Sequence, residues 1–233
     1  MTRAAGASGI EVVLLDIEGT TTPITFVTRV LFPYARMHLR SYLEEQAGSA
    51  EHETLMARLR AEQAARGHDG NDIASYVEWL MDRDEKSAPL KDLQGRIWEG
   101  GYQRGELVGD VFSDVPPALA RWTQAGQRVA IFSSGSVLAQ RLLFRHTAHG
   151  DLAGFIDGYF DTRVGKKNEA ESYGRIARDL GVAPRGVMFL SDVPRELDAA
   201  RAAEMQVRLV VRPGNAPASD GQDYERVESF DEL

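Results

Sequence analysis

Five short β-type runs recur along this chain: Ile10–Leu15, Arg128–Phe132, Gly158–Phe160, Gly186–Leu190 and Val207–Val211. Amphipathic helical patterns at Val137–His146, Glu169–Leu180 and Arg195–Ala203 separate the later ones. This alternation leaves few folds open, because each strand–helix–strand crossover returns the chain parallel to its start. The expected class is α/β, a Rossmann-like, mostly parallel sheet with helices on both faces. The interval between the first two runs breaks the pattern. From about Val27 to Val111 only helical periodicity is present, in "VTRVLFPYARMHLRSYLEEQ", "HETLMARLRAEQAAR", "DIASYVEWLMDRD" and "LKDLQGRIWEGGYQRGEL". A crossover needs only about a dozen residues. The surplus is expected to form a helical cap subdomain over residues 27–111, inserted after the first strand of a core domain made of residues 8–26 and 112–233. Asp114–Ala125, with Pro116 and Pro117 in its first turn, reads as the helix that brings the chain back to the sheet. The tail from Arg212 reads as a loop that ends in a short surface element.

Length and composition permit this arrangement and close off others. A chain of 233 residues can build one sizeable core and a smaller subdomain. Hydrophobic residues at 43% are too many for a disordered chain. With no cysteine there is neither a disulfide framework nor thiolate chemistry, which fits a reducing compartment. A net charge of −8 argues against a nucleic-acid partner, so any anion must be met by local cations or backbone N–H groups. No apolar run reaches the length of about 18 residues needed to span a membrane, and the N-terminus lacks a secretory pattern. A cytoplasmic location without membrane attachment is the expectation.

Ligands of open parallel sheets bind outside the carboxyl ends of the strands. Asp16 and Glu18 follow the first strand, Ser133, Ser134 and Gly135 the second, Lys166 and Lys167 the third, and Ser191 and Asp192 the fourth. Each has an ordinary reading taken singly: a turn aspartate, a helix N-cap, a solvated lysine pair, a second cap. Together they make one chemical set. Carboxylates without His or Cys form a hard oxygen site suited to Mg²⁺. A metal, a lysine and N–H groups at a helix N-terminus are what a phosphoryl group requires. One carboxylate can act as nucleophile and a second as acid and base. The five histidines lack metal-ligand spacing, and "GYFDTRVGKKN" has too many residues between its glycines for a phosphate-binding P-loop.

The segments "LLDIEGT", "IFSSGS", "VGKKNEAESY" and "FLSDVPREL" resemble, in order, the four motifs of the haloacid-dehalogenase-like phosphatase superfamily. The insert resembles that superfamily's cap. Glu18 stands where most of these phosphatases have Asp. With that departure and "VVRPGNAP", the chain is similar to the enolase-phosphatase (acireductone synthase) branch of methionine salvage from about Ile10 to Pro217. The resemblance implies a monomeric Mg²⁺ enzyme that enolises 2,3-diketo-5-methylthiopentyl 1-phosphate, a small phosphorylated methylthio-ketone, and then removes its phosphate. It implies Asp16 as nucleophile and metal ligand, with Glu18 as acid and base and as metal ligand through its carbonyl. It also implies Asp192 on the metal, Ser133 and Ser134 on substrate oxygens, and Lys167, in preference to Lys166, on the phosphate. Glu18, Lys167 and a metal-bound water all stay open as the enolisation base. Thr20, Thr21, Thr22 and Glu196 receive no role. A superfamily phosphatase of another small ester, such as a sugar phosphate, is the nearest rival reading.

Overall fold

The computed structural model describes residues 9–70, 72–83, 85, 87–215 and 224–233. Strand β1 (Val12–Leu15) leads into a helical turn, α1 (Ile24–Phe26), and a π-helical turn, Val27–Leu31. Four helices follow: α2 (Phe32–Glu45), α3 (Ala50–Ala65), α4 (Ile73–Asp82) and α5 (Ala88–Gln103). The chain then runs through α6 (Val115–Gln124), β2 (Arg128–Phe132), α7 (Val137–Arg145), β3 (Gly158–Phe160) and α8 (Ala170–Asp179). It closes with β4 (Val187–Ser191), α9 (Pro194–Ala202), β5 (Gln206–Val210) and β6 (Arg226–Val227). Two compact units result, one of the chain up to Phe26 and from Val108 onward, the other Val27–Leu107.

In the first unit all six strands are parallel, in the order β3-β2-β1-β4-β5-β6. The reason β1 lies near the centre is legible in its residues. Val12 to Leu15 are four apolar side chains in a row, and all four are fully buried, as a strand covered on both faces requires. Right-handed crossovers place α6 and α7 on one face and α8 and α9 on the other, because the chain steps from β1 outward to β3 and then back past β1 to β5. The second of these faces packs Tyr173 and Ile176 of α8 and Leu197 of α9 against Val12, Leu14, Phe132 and Phe189. Each of the five expected strands lies within two residues of its expected bounds. The tail, however, is more than a surface element. Arg226–Val227 pairs with β5 as a sixth strand, and Phe230 is fully buried against Trp122 at 5.4 Å between centroids. A two-residue strand has no periodicity to detect.

The second unit is all helical, and its helix starts follow local chemistry. Ser49 accepts a hydrogen bond from His52 N, Asp72 from Ala74 N and Ser75 N, and Ser87 from Leu90 N, each satisfying N–H groups that a first turn leaves without partners. Leu39, Leu59, Tyr76, Leu80 and Leu93 form its fully buried interior. Trp98 Nε1 reaches Leu31 O at 2.8 Å, which ties the π-helical turn to α5. Among the described residues no helix is long and apolar enough to cross a membrane.

One ion pair closes the first unit. Asp114 sits at the N-cap position of α6, but its side chain makes no capping bond there. It accepts Arg212 Nη1 at 2.8 Å and Phe230 N at 2.6 Å, with both charged side chains buried. Burial alone would raise the Asp114 pKa, but the hydrogen bond and charge of Arg212 and the Phe230 N–H together hold it below the usual value. A carboxylate with a depressed native pKa adds stability that is present above the unfolded value of about 3.9 and lost as pH falls through the native value. Arg212→Met leaves Asp114 buried and uncompensated, so a loss of about 3–5 kcal/mol is expected in urea unfolding at pH 7. That deficit should shrink on acidification below about pH 4; a pH-independent deficit would mean the pair contributes nothing electrostatic.

Candidate active site

The chain leaves β1 toward β2 and leaves β4 toward β5, so the connections run in opposite directions from the carboxyl ends of these adjacent strands, where open sheets bind ligands. Asp16 extends β1 by one residue, donating its N–H to Leu190 O at 3.0 Å, and is 4% exposed. Its Oδ1 receives Lys167 Nζ at 2.6 Å, and its Oδ2 lies 3.3 Å from the hydroxyl of Ser191, the last residue of β4. Lys167 Nζ also meets Glu196 Oε2 at 2.6 Å, and Ser191 Oγ stands 3.1 Å from the same oxygen. Lys166 points elsewhere, pairing with Glu169 at the surface. The lysine's backbone is held from below: Tyr173 hydroxyl donates to Lys167 O and Ser172 hydroxyl to Lys166 O, both at 2.7 Å.

Asp192 does not cap α9, whose N-cap is Val193 and lacks a side-chain bond. Its backbone N donates to Thr20 Oγ1 at 3.1 Å, while its buried Oδ1 has no hydrogen-bond partner. Gly19 has φ of +73°, and a Cβ there would overlap Asp192 Oδ2, so this position needs glycine for both conformation and space. Half-buried Glu18 lies in the turn that Gly19 closes by donating to Thr22 O at 2.8 Å. The threonines are all fully buried. Thr20 accepts from Asp192, Thr21 Oγ1 lies 3.2 Å from Asp16 O, and Thr22 Oγ1 has no partner.

After β2, Ser136 caps α7 by accepting from Ala139 N, which leaves the two preceding serines outside the cap. Ser133 is buried, and its Oγ accepts from Gly135 N at 3.2 Å; Ser134 is exposed. Gln140 secures this loop from α7, its Nε2 donating to Gly135 O at 2.9 Å and Phe160 O at 2.8 Å.

Two carboxylates thus contact one ammonium, and Asp192 adds a third acid to the site. Burial would lower the Lys167 pKa, yet the charges of Asp16 and Glu196 outweigh it and keep the ammonium protonated. Burial, followed by the Asp16 charge, pushes Asp192 up to about 7 and raises Glu196 as well. A cation would relieve this excess of negative charge, and the partnerless Asp192 Oδ1 is a hard oxygen ready to bind one. Among the described residues no three His, Cys, Asp or Glu side chains form a metal cage of their own. A cation here would draw on the carboxylates of Asp16 and Asp192, with further oxygens from backbone, water or substrate. Glu196, Gln140, Arg212 and Asn215 receive no place in the site from sequence, whereas Ser191 stands with Asp192 among the residues that follow the fourth strand. Of those four, Glu196 carries a signal, an acid four residues after Asp192.

A family model described as haloacid dehalogenase-like hydrolase matches residues 10–204. A protein of Synechococcus elongatus named enolase-phosphatase E1 is 51% identical, over 96% of this chain and 98% of its own. One of the same name from Drosophila persimilis is 46% identical, over 92% and 90%. The solved UTR4 protein of Saccharomyces cerevisiae superposes with a TM-score of 0.81 at 37% identity, covering 96% of this chain and all of that one. CbbY of Rhodobacter sphaeroides, solved with phosphate, shares the fold at a TM-score of 0.59 and 22% identity.

The crowded carboxylates predict a pH effect in metal-free protein. The folded Asp192 pKa of about 7 exceeds its unfolded value of about 3.9, so the cost of its ionisation to folding is full above neutrality and declines steadily as pH falls from about 7 toward about 4. With EDTA at pH 8, Asp192→Asn should be more stable than wild type by on the order of 2 kcal/mol, the gap narrowing by pH 5.5. Thermal melts across that range decide it; a variant that melts lower at pH 8 contradicts the account.

Proposed function

The chain belongs to the enolase-phosphatase E1 proteins of the haloacid dehalogenase-like hydrolases, and from that membership and the site's geometry we propose that it is a bifunctional enolase-phosphatase. It converts 2,3-diketo-5-methylthiopentyl 1-phosphate to the acireductone 1,2-dihydroxy-3-keto-5-methylthiopentene and phosphate in methionine salvage. The observation that carries this reading is a buried Asp16 held between Lys167 and the Ser191 hydroxyl at the end of β1.

Asp16 attacks the phosphorus through a carboxylate oxygen, its orientation fixed by the lysine and the serine. The bond to the ester oxygen breaks, and the phosphoryl group passes to Asp16 as an aspartyl-phosphate. Glu18 protonates the leaving oxygen, then takes a proton from the water that hydrolyses the intermediate. Lys167 sits 2.6 Å from the nucleophile and supplies positive charge to the equatorial phosphate oxygens. Ser133 and Ser134, on the loop secured by Gln140, take further substrate oxygens. In the preceding enolisation a proton leaves the carbon next to the carbonyl, and the carbonyl oxygen gains one as it becomes the enol hydroxyl. Lys167, kept as an ammonium by two carboxylates, is a poor base, which favours Glu18 for that step.

Proteins of this family are generally metal-dependent, and the oxygen set fits Mg²⁺. Asp16, Asp192 and the Glu18 carbonyl would hold the ion, which when bound neutralises phosphate charge and polarises the dicarbonyl. We read the helical unit Val27–Leu107 as the counterpart of the superfamily's cap. We also infer a monomer in the cytoplasm, a location with which the absence of cysteine is compatible.

The test is an anaerobic assay of the diketo ester with Mg²⁺ that records enol absorbance and free phosphate together. Enol absorbance should rise before or with phosphate, and Asp16→Asn should lower phosphate release by on the order of a thousandfold or more. Phosphate without an enol signal would leave a plain phosphatase. No signal in either channel would turn attention to other small phosphate esters.

A further inference from the structure

The turn "RPGN" after β5, Arg212 to Asn215, has no part in the chemistry above, yet it reaches the loop that carries the acid. Asn215 Nδ2 donates to Gly19 O at 2.9 Å, and Arg212 Nε donates to Thr20 O at 3.1 Å. From the other side the backbone N of Asp192 donates to Thr20 Oγ1 at 3.1 Å. Three hydrogen bonds from two separate segments therefore fall on two consecutive residues, those directly after Glu18.

The anchor behind them is rigid. Arg212 is buried, its Nη1 bonded to Asp114 Oδ2 at 2.8 Å and Glu228 O at 3.0 Å. Its guanidinium lies between the Phe112 and Phe230 rings, 4.5 and 4.6 Å from their centroids. Such stacking leaves it no alternative orientation. Asn215 follows three residues on, its N–H donating to Arg212 O at 3.1 Å, so the amide inherits that placement. A Cβ at Gly19 would stand only 3.0 Å from Asn215 Oδ1, which shows how closely the asparagine packs on the turn.

Gly19 is the residue of this loop with the most conformational freedom. Its peptide sets both the carbonyl of Glu18 and the direction of the Glu18 side chain. We propose that Arg212 and Asn215 are positioning residues for the reaction: they hold the Gly19–Thr20 backbone so that Glu18 meets the leaving oxygen beside Asp16. They act through Glu18 and do not touch substrate. The inference rests on the reading of Glu18 as the acid and base.

Arg212 also stabilises the fold, so Asn215 is the informative probe: it is half-exposed and separate from the buried ion pair. Asn215→Leu removes the amide at nearly constant shape, and Asn215→Ala removes it outright. Wild type and both variants are assayed with Mg²⁺ and the diketo ester for enol absorbance, phosphate and melting temperature. In both variants kcat should fall about ten- to a hundredfold, with KM within about twofold and the melting midpoint within about 2 °C of wild type. An unchanged kcat, a loss that tracks a lowered midpoint, or a rise in KM at constant kcat would each overturn the proposal. Wild-type protein inert toward the ester would instead overturn the reading of the reaction, which keeps the two failures apart.

Discussion

The ammonium of Lys167, placed 2.6 Å from both Asp16 and Glu196, is the interaction on which the site depends. Lysine in a dry interior would ordinarily lose its proton, and carboxylates there would ordinarily gain one. Each charge is tolerable because the others are present. The three groups come from the end of β1, the segment between β3 and α8, and the first turn of α9, so one cation joins three parts of the sheet's edge. Charge is not balanced by this pairing. Asp192 adds a third acid with a partnerless oxygen, and the site keeps a residual demand for positive charge. Such a demand is unfavourable for stability in the absence of a cation, and a bound cation that met it would also offset the negative charge of a phosphoryl group.

The acid loop answers a different constraint. Between Leu15 and Ile24 the backbone must turn sharply while keeping Asp16 fixed to the sheet. Gly19 supplies the left-handed turn, the buried threonines supply internal partners, and Asp192, Arg212 and Asn215 supply external ones. A short, polar, largely buried loop is possible because its N–H and C=O groups are satisfied in this way.

Much of this was legible in the residues. The apolar run Val12–Leu15, the prolines at the start of α6 and the amphipathic stripes of α7 and α8 encode elements locally, and the strands and helices lie close to where those patterns put them. Because ligands bind at strand ends, Asp16, Ser133, Lys167 and Asp192 could be named from their positions just past the strands. Their partners could not. The bond from Lys167 to Asp16 spans 151 positions, and that from Arg212 to Thr20 spans 192. Neither distance leaves a periodic trace. The same holds for β6, too short to show alternation, and for Gln140, which reads as an ordinary helix residue until its amide is seen to bridge two loops.

The long reach of Arg212 also bears on how the molecule is made. Residues 16–22 leave the ribosome before their guanidinium and amide partners, which are synthesised nearly two hundred residues later. The anchor of that guanidinium is completed later still, by Phe230. Local helices can form during synthesis, whereas this turn waits for contacts of very high sequence separation. The loop from Asp16 to Thr22 is thus among the last parts of the chain to become rigid. A nascent chain already carrying every acid and lysine of the site still lacks their arrangement.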